Sequence, residues 1–383
     1  MKKKNILFLM GVYPNYGGVE MVSTILANQF INDGYDVTIV SFSQPVPQFA
    51  KLHLSDKCNL LSLSFPVFSI KNIKKLRQYI EAQHIDILIN QWVVPFFTTL
   101  VWKIALWKID CKVYSVHHNR PNTNKRIQSL DILISNGKTY LKPLRYIVRE
   151  ISRFSLSFCV RCSDKYILLS PSFIPIAKKY ARISNSDKCV AIANPVTIVQ
   201  PVSTQFVKEK EILYVGRIEY NQKRTYRIID IWKELEKEYS NWRLTIVGDG
   251  DDRTDLEKRI VEYGLERVCI TGFVNPVKYY SRASIMIMTS EYEGFPLVLV
   301  EGMTYGVVSV VYDSFEAVHD LITDGKNGVL CGKPFNVLSF VTMLKTILDD
   351  EINLKVMSAN AIETSKRYTI DNIATEWYNL INQ

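Results

Sequence analysis

No stretch of the sequence is apolar for long enough to make a clean transmembrane helix. The nearest, Trp92 to Trp107, is broken by Pro95 and Lys103. A leader is poorly supported too. Lys2, Lys3 and Lys4 precede Ile6 to Val12, but that run is short and Pro14 and the nearby glycines cut it off, so a first buried strand is expected. Seven cysteines are scattered without framework spacing. Cys159 and Cys162 form a lone Cys-x-x-Cys with no second pair to complete a zinc site, which points to packed thiols in a reduced, cytoplasmic setting. The Gly-x-Gly-x-x-Gly of dinucleotide-binding domains is missing, which disfavours a dehydrogenase. No helix-turn-helix, zinc-finger or aromatic RNA-binding signature supports a nucleic-acid partner.

What is present is a foldable chain of two-domain size: 383 residues, 47% of them hydrophobic. Its charge is unevenly spread. Residues 1–190 carry 26 Lys and Arg against 11 Asp and Glu, and the remainder 21 against 27, so the net +9 divides into +15 and −6. A basic half suggests an anionic partner, with anionic lipid, a lipid-linked diphosphate and nucleic acid as candidates and a merely solvated surface as the plain alternative.

The segment Ile285 to Gly306 organises the second half. A short apolar run, Ser284 to Met288, suits a buried strand. Ser290, Glu291, Glu293, Gly294 and Pro296 make a polar turn, and Leu297 to Met303 an apolar helix with Pro296 near its first position. Strand, tight turn and helix start together offer an anion site, flanked by Glu293 and Glu301, whose carboxylates can accept paired hydrogen bonds from sugar hydroxyls. The plain alternative is a dipole-complementing Glu293 and a solvated Glu301.

Elsewhere the pattern alternates strand and helix, so a parallel sheet is expected. Asn5 to Val12 and Val37 to Ser41 read as strands around a helix from Glu20 to Asp33, opened by Gly17 and Gly18, which permit close approach of a ligand. A strand from Cys111 to Val116 ends in His117 and His118, where open α/β sheets bind ligands; a hydrogen-bonded structural pair is the alternative. Lys142 to Arg161 reads as an amphipathic helix with Lys142, Arg145, Arg149 and Arg153 on one stripe and Leu144, Ile147, Val148, Ile151, Phe154 and Phe158 on the other. Such a helix can lie on a membrane or turn its apolar side into the core. In the second half, Gly216 and Arg217 follow a strand and Lys223 lies in the next loop, a cationic pair suited to a diphosphate leaving group. Gly248-Asp249-Gly250-Asp251-Asp252 reads as helix capping rather than a metal motif. Pro195, Pro201 and the Ser and Thr around them mark a linker.

The Glu293-x7-Glu301 segment, with Gly216-Arg217 and Lys223, the Gly17-Gly18 loop, Asn194-Pro195 and Gly325-Lys326-Asn327-Gly328, resembles glycosyltransferase family 4 over nearly the whole chain. That resemblance implies the GT-B fold: α/β, two Rossmann-like doubly wound parallel-sheet domains facing a cleft. Residues 1–196 would form the acceptor- and membrane-facing domain, 197–365 the donor domain, and 366–383 a helix returning to the first. It implies a retaining transferase that moves a sugar from a nucleoside diphosphate donor, UDP-sugar favoured, to a hydroxyl of a glycan acceptor, lipid-linked, in bacterial surface polysaccharide synthesis. No cofactor or metal is implied, and the setting is the inner face of the cytoplasmic membrane. Glu293 would contact the donor sugar, and Gly294, Phe295, Pro296, Leu297 and Val298 would cradle the diphosphate and ribose. Glu301 would hold the ribose hydroxyls and Arg217 and Lys223 the diphosphate. Gly17, Gly18, Gly248, Phe273 and Val274 would lie around the donor, and His118, with His117 second, would line the acceptor or donor-sugar site. A nucleotide-sugar epimerase of the same fold and a non-catalytic scaffold are the alternatives.

Overall fold

The structure is a computed structural model and describes residues 3–183, 187–198, 201 and 206–383. The second half of the linker, 202–205 with 199–200, lies outside the described residues. The chain divides into two units, residues 1–197 with 370–383, and residues 198–369.

Unit 1 contains β1 (Asn5–Val12), α1 (Gly18–Asn32), β2 (Asp36–Ser43), α2 (Pro47–His53), β3 (Asn59–Ser62), α3 (Ile70–Ala82), β4 (Ile87–Asn90), α4 (Phe96–Ala105), β5 (Lys112–His117), α5 (Lys125–Ser135), α6 (Lys142–Cys162), β6 (Lys165–Leu168), α7 (Phe173–Ala181) and β7 (Cys189–Ala191). Its seven strands are all parallel, in the order β3-β2-β1-β4-β5-β6-β7. Helices cover both faces, so the central strands are apolar throughout rather than alternating; Ile6 to Leu9 and Ile87 to Ile89 are fully buried. Order reverses between β1 and β4, which makes the ends of those two strands the switch point where open sheets take ligands.

Unit 2 contains β8 (Glu209–Val215), α8 (Tyr226–Leu235), β9 (Arg243–Val247), α9 (Arg253–Glu262), β10 (Val268–Ile270), α10 (Val277–Arg282), β11 (Ala283–Met288), α11 (Leu297–Thr304), β12 (Val308–Tyr312), α12 (Val318–Leu321), β13 (Gly328–Cys331), α13 (Val337–Leu348) and α14 (Glu351–Ser365). Its six parallel strands run β10-β9-β8-β11-β12-β13, with the switch between β8 and β11. Ile228, Ile231, Trp232 and Leu235 of α8 fill one core with Ile285, Ile287, Val308 and Val310 from the sheet. Tyr368 packs on Phe295 and donates to Asp320 O, so residues 366–369 belong with this unit.

The last helix, α15 (Ile370–Ile381), packs on α1 of unit 1. Trp377 is 2% exposed, Tyr378 stacks on Tyr35 at 5.4 Å, and the Tyr378 hydroxyl bonds to Asp33.

Helix α6 shows which way its apolar stripe turns. Its apolar stripe does not face the core: Leu144 is 47% exposed, and Ile147, Ile151 and Phe154 each 53%. The buried face instead carries Ser152, Ser155, Leu156, Ser157, Cys159 and Val160. Small side chains let the helix lie close to the sheet, and a polar cluster satisfies them there. Ser163 Oγ donates to Ser115 Oγ at 2.8 Å, and Cys159 Sγ lies 3.3 Å from the same oxygen. The bulky apolar groups are left outside. Phe154 stacks on Phe158 at 5.8 Å and meets Phe96 at 5.7 Å, Phe96 stacks on Phe97, and Phe97 reaches Phe68, so the exposed stripe continues as an aromatic seam onto α4 and the loop before α3.

Candidate active site

In unit 2 the loops that leave β8 and β11 meet at the switch point. β11 ends at Met288, residues 289–296 turn, and α11 begins at Leu297 with Pro296 as its N-cap, one position earlier than the sequence suggests. No side chain caps that helix end. The loop after β8 carries Arg217 and Lys223, and it is stapled to the turn by a set of polar contacts. Lys223 Nζ lies 2.6 Å from Glu293 Oε1. Gln222 Nε2 donates to Tyr292 O at 3.1 Å and Glu293 Oε2 at 3.4 Å, and Glu291 N donates to Gln222 O at 2.8 Å. Thr289 Oγ1 donates to Lys223 O and Arg224 O. Arg227 donates to Thr289 O and to the Glu291 carboxylate, which Arg224 also faces at 3.4 Å. Glu293 is 6% exposed, so this carboxylate and its lysine form a largely desolvated pair. Arg217 differs: its side chain is 59% exposed and its ion pair is a 3.9 Å approach to Glu219. It is a cation left at the mouth of the loop.

Glu301 is not the solvated glutamate of the plain reading. It is 6% exposed in the middle of α11 and accepts a 2.9 Å hydrogen bond from the Tyr280 hydroxyl. Gly248 follows β9 with φ +154°, and a Cβ there would stand 1.8 Å from Gly216 O, so the loops after β8 and β9 touch backbone to backbone and only glycine fits. Phe273 and Val274 follow β10 and are 81% and 39% exposed. The aspartates near Gly248 do not cap as expected. Asp252 is the N-cap of α9, but its carboxylate accepts from Tyr220 N at 2.6 Å, and Asp249 accepts from Gly250 N and pairs with Arg253. Met286 Cε lies 2.9 Å from where a Cβ on Gly302 would stand, so the strand side chain fills that space.

In unit 1 a cavity of about 580 Å³ opens at the β1/β4 switch point. Its lining includes Val12, Glu20, Gln91, Trp92, His117, His118, Asn124, Lys125, Arg126, Ile151 and Tyr180. The two histidines separate by their bonding. His117 Nδ1 meets Tyr166 Oη at 2.7 Å, the ring also bonds to the backbone of Arg120, and burial pushes its pKa down to about 4. His118 Nε2 meets Gln91 Oε1 at 2.5 Å, while its buried Nδ1 has no hydrogen-bond partner among the described residues. Burial, with His117 beside it, pushes His118 down to about 3. Both rings are therefore neutral near pH 7, and His117 is the more fully engaged. Gly17 and Gly18 are not among the lining residues. Gly17 has an extended φ of −168° open to any residue, and the Glu20 carboxylate rests against it. Gln91 was missed by the sequence reading; its one signal was its place directly after the β4 strand. Among the described residues no three His, Cys, Asp or Glu side chains converge as for a metal, and no helix is long and apolar enough to cross a membrane.

Two family models divide the chain between them: Glycosyltransferase Family 4 matches residues 16–199 and Glycosyl transferases group 1 matches 198–364. The chain belongs to glycosyltransferase family 4. It is a glycosyltransferase with two parallel-sheet α/β domains of the GT-B kind. Among family relatives, the amylovoran biosynthesis glycosyltransferase AmsD of Erwinia amylovora is 25% identical over 98% of this chain and 99% of its own. A Campylobacter jejuni α-1,4-N-acetyl-D-galactosaminyltransferase named for a diNAcBac-PP-undecaprenol glycan is 26% identical over 96% and 95%. The Anabaena protein HepE, solved in complex with UDP, superposes with a TM-score of 0.76 at 17% identity over 99% of each chain.

Proposed function

We propose that this glycosyltransferase moves a sugar from a UDP-sugar to a hydroxyl of a lipid-linked glycan in bacterial surface polysaccharide synthesis, with retention of anomeric configuration. The observation that carries the reading is the Lys223–Glu293 pair at the β8/β11 switch point, with the exposed Arg217 beside it on the same loop. A donor diphosphate entering there exchanges partners: Lys223 and Arg217 turn to the phosphates, and Glu293 is released toward hydroxyls of the donor sugar. The bond between the anomeric carbon and the phosphate oxygen breaks, and the acceptor oxygen bonds to that carbon on the same face. The acceptor proton leaves on the departing diphosphate, whose growing charge the two cations hold. No metal or cofactor takes part in this scheme. The buried neutral His118 offers a ring nitrogen as acceptor for a substrate hydroxyl in the unit 1 cavity.

The relatives support the substrate classes. AmsD is named for amylovoran biosynthesis, the Campylobacter relative for a glycan on PP-undecaprenol, and the HepE structure holds UDP. Both family models describe transferases, which weighs against acceptor-free epimerisation. The exposed stripe Leu144, Ile147, Ile151 and Phe154, within the basic half of the chain, supports contact with an anionic membrane surface.

The test is a thermal-shift screen against UDP, GDP, ADP and CMP, followed by their sugars. Ligand that binds only the folded state raises the midpoint. A rise with UDP that is lost in Glu301→Ala supports the donor site; a silent screen refutes it.

A further inference from the structure

Glu301 is held by a partner that the motif does not contain. Tyr280 is fully buried within α10, and its hydroxyl donates to Glu301 Oε2 at 2.9 Å. The ring is fixed from two sides. It stacks on Tyr305 with centroids 6.2 Å apart and planes 23° from parallel, and the Tyr280 carbonyl accepts from Lys208 Nζ at 3.0 Å. Burial and the neighbouring carboxylate push the phenol well above its ordinary pKa, so the hydroxyl stays protonated and acts only as a donor here. A glutamate side chain in a helix has three rotatable bonds, and a carboxylate that accepts from two adjacent hydroxyls must hold one plane.

We infer that Tyr280 is a positioning residue that fixes the Glu301 carboxylate in the orientation that accepts the ribose hydroxyls of the donor nucleotide. This rests on the donor-site reading above and on the ribose role that the family resemblance implies for Glu301. Tyr280 touches no substrate; it sets the angle of the group that does. The expected signature is selective. Loss of the phenol hydroxyl weakens binding of a nucleotide with ribose hydroxyls and leaves one without them unaffected.

The experiment is calorimetric titration of wild type and Tyr280→Phe with UDP and with 2′,3′-dideoxy-UDP. Wild type is expected to prefer UDP by about tenfold, the worth of one charge-assisted hydrogen bond. In Tyr280→Phe the preference falls to about threefold or less, with dideoxy-UDP affinity unchanged, because the ring and its stacking on Tyr305 remain. Tyr280→Met, which also lacks the donor, is measured in parallel so that failure of one variant to fold leaves the other. An unchanged preference in a folded variant, or equal weakening of both ligands, overturns the inference alone. Wild type that binds UDP without discriminating overturns the ribose role of Glu301 and this inference with it. If UDP does not bind, the same comparison is made with GDP and ADP and their dideoxy forms; no binding by any pair overturns both.

Discussion

Removing the lysine from the Lys223–Glu293 pair should cost stability before it costs catalysis. The contact is 2.6 Å long, the Glu293 side chain is 8% exposed and that of Lys223 is 19%. Lys223→Met leaves a nearly buried carboxylate with only the 3.4 Å bond from Gln222. Breaking one side of a buried pair costs 3–5 kcal/mol, and the Gln222 contact with the partial exposure of Lys223 puts this case at the low end, about 3 kcal/mol. For a unit spanning residues 198–369, that lowers the unfolding midpoint by about 6 to 12 °C. Glu293→Gln in the same chain removes the uncompensated charge, so the double variant should recover about 2 kcal/mol of the loss. The assay is thermal unfolding of wild type, both single variants and the double variant, without ligand and with saturating UDP. In the absence of ligand the cycle should give a coupling of at least about 2 kcal/mol. With UDP, Lys223→Met should gain far less in midpoint than wild type, because the cation that meets the diphosphate is gone. Single effects that add to the double within about 0.5 kcal/mol would refute the partner-exchange argument, since distant independent sites behave that way.

Replacing Ile147, Ile151 and Phe154 with Ser should abolish co-sedimentation with vesicles containing anionic lipid while leaving the melting midpoint near wild type, since these side chains are half exposed; equal sedimentation would refute the membrane role of α6. His117 and His118 are held at about 4 and about 3 in the folded chain. A lowered folded pKa means that the unfolded chain takes up protons first as pH falls below about 6.5, so stability declines from about pH 7 toward 4 by up to about 1.4 kcal/mol per pH unit for each ring. His118→Asn should flatten that slope, and an unchanged slope of midpoint against pH would contradict a neutral buried ring. Glu211 is fully buried and pairs with both Arg243 and Arg282. Glu211→Ala strands the buried Thr245 hydroxyl but leaves the two arginines partly solvated, so it should lower stability by about 1 to 3 kcal/mol, read as a shift in the denaturant midpoint; a loss below about 0.5 kcal/mol would count against the buried network.

The strand–turn–helix around Glu293 was legible because its signals are local: an apolar run, a glycine, a proline, another apolar run. The helix read over Glu20 to Asp33 was placed to within two residues for the same reason. The partners of the site were not. Tyr280 and Glu301 are 21 residues apart and nothing in either's neighbours announces the bond. Gln222 reads as a loop polar residue until the turn it staples is in view. The direction of the α6 stripe was left open for a more general reason: periodicity shows that a helix has two faces, but which one is buried depends on how closely its neighbours approach. Ser152, Ser155 and Cys159 permit an approach that Ile151 and Phe154 would block. What comes close to Gly17 was not legible either, because glycine marks space and not its occupant; in the unliganded chain the Glu20 carboxylate lies there.

Helix α15 gives the chain an order of completion during synthesis. Unit 2 is one continuous span, so it can finish folding once residue 369 has left the ribosome. Unit 1, though translated first, lacks the helix that covers Phe30 and Tyr35 until residues 370–383 follow. Its α1 face remains an apolar, unfinished surface through the whole synthesis of unit 2.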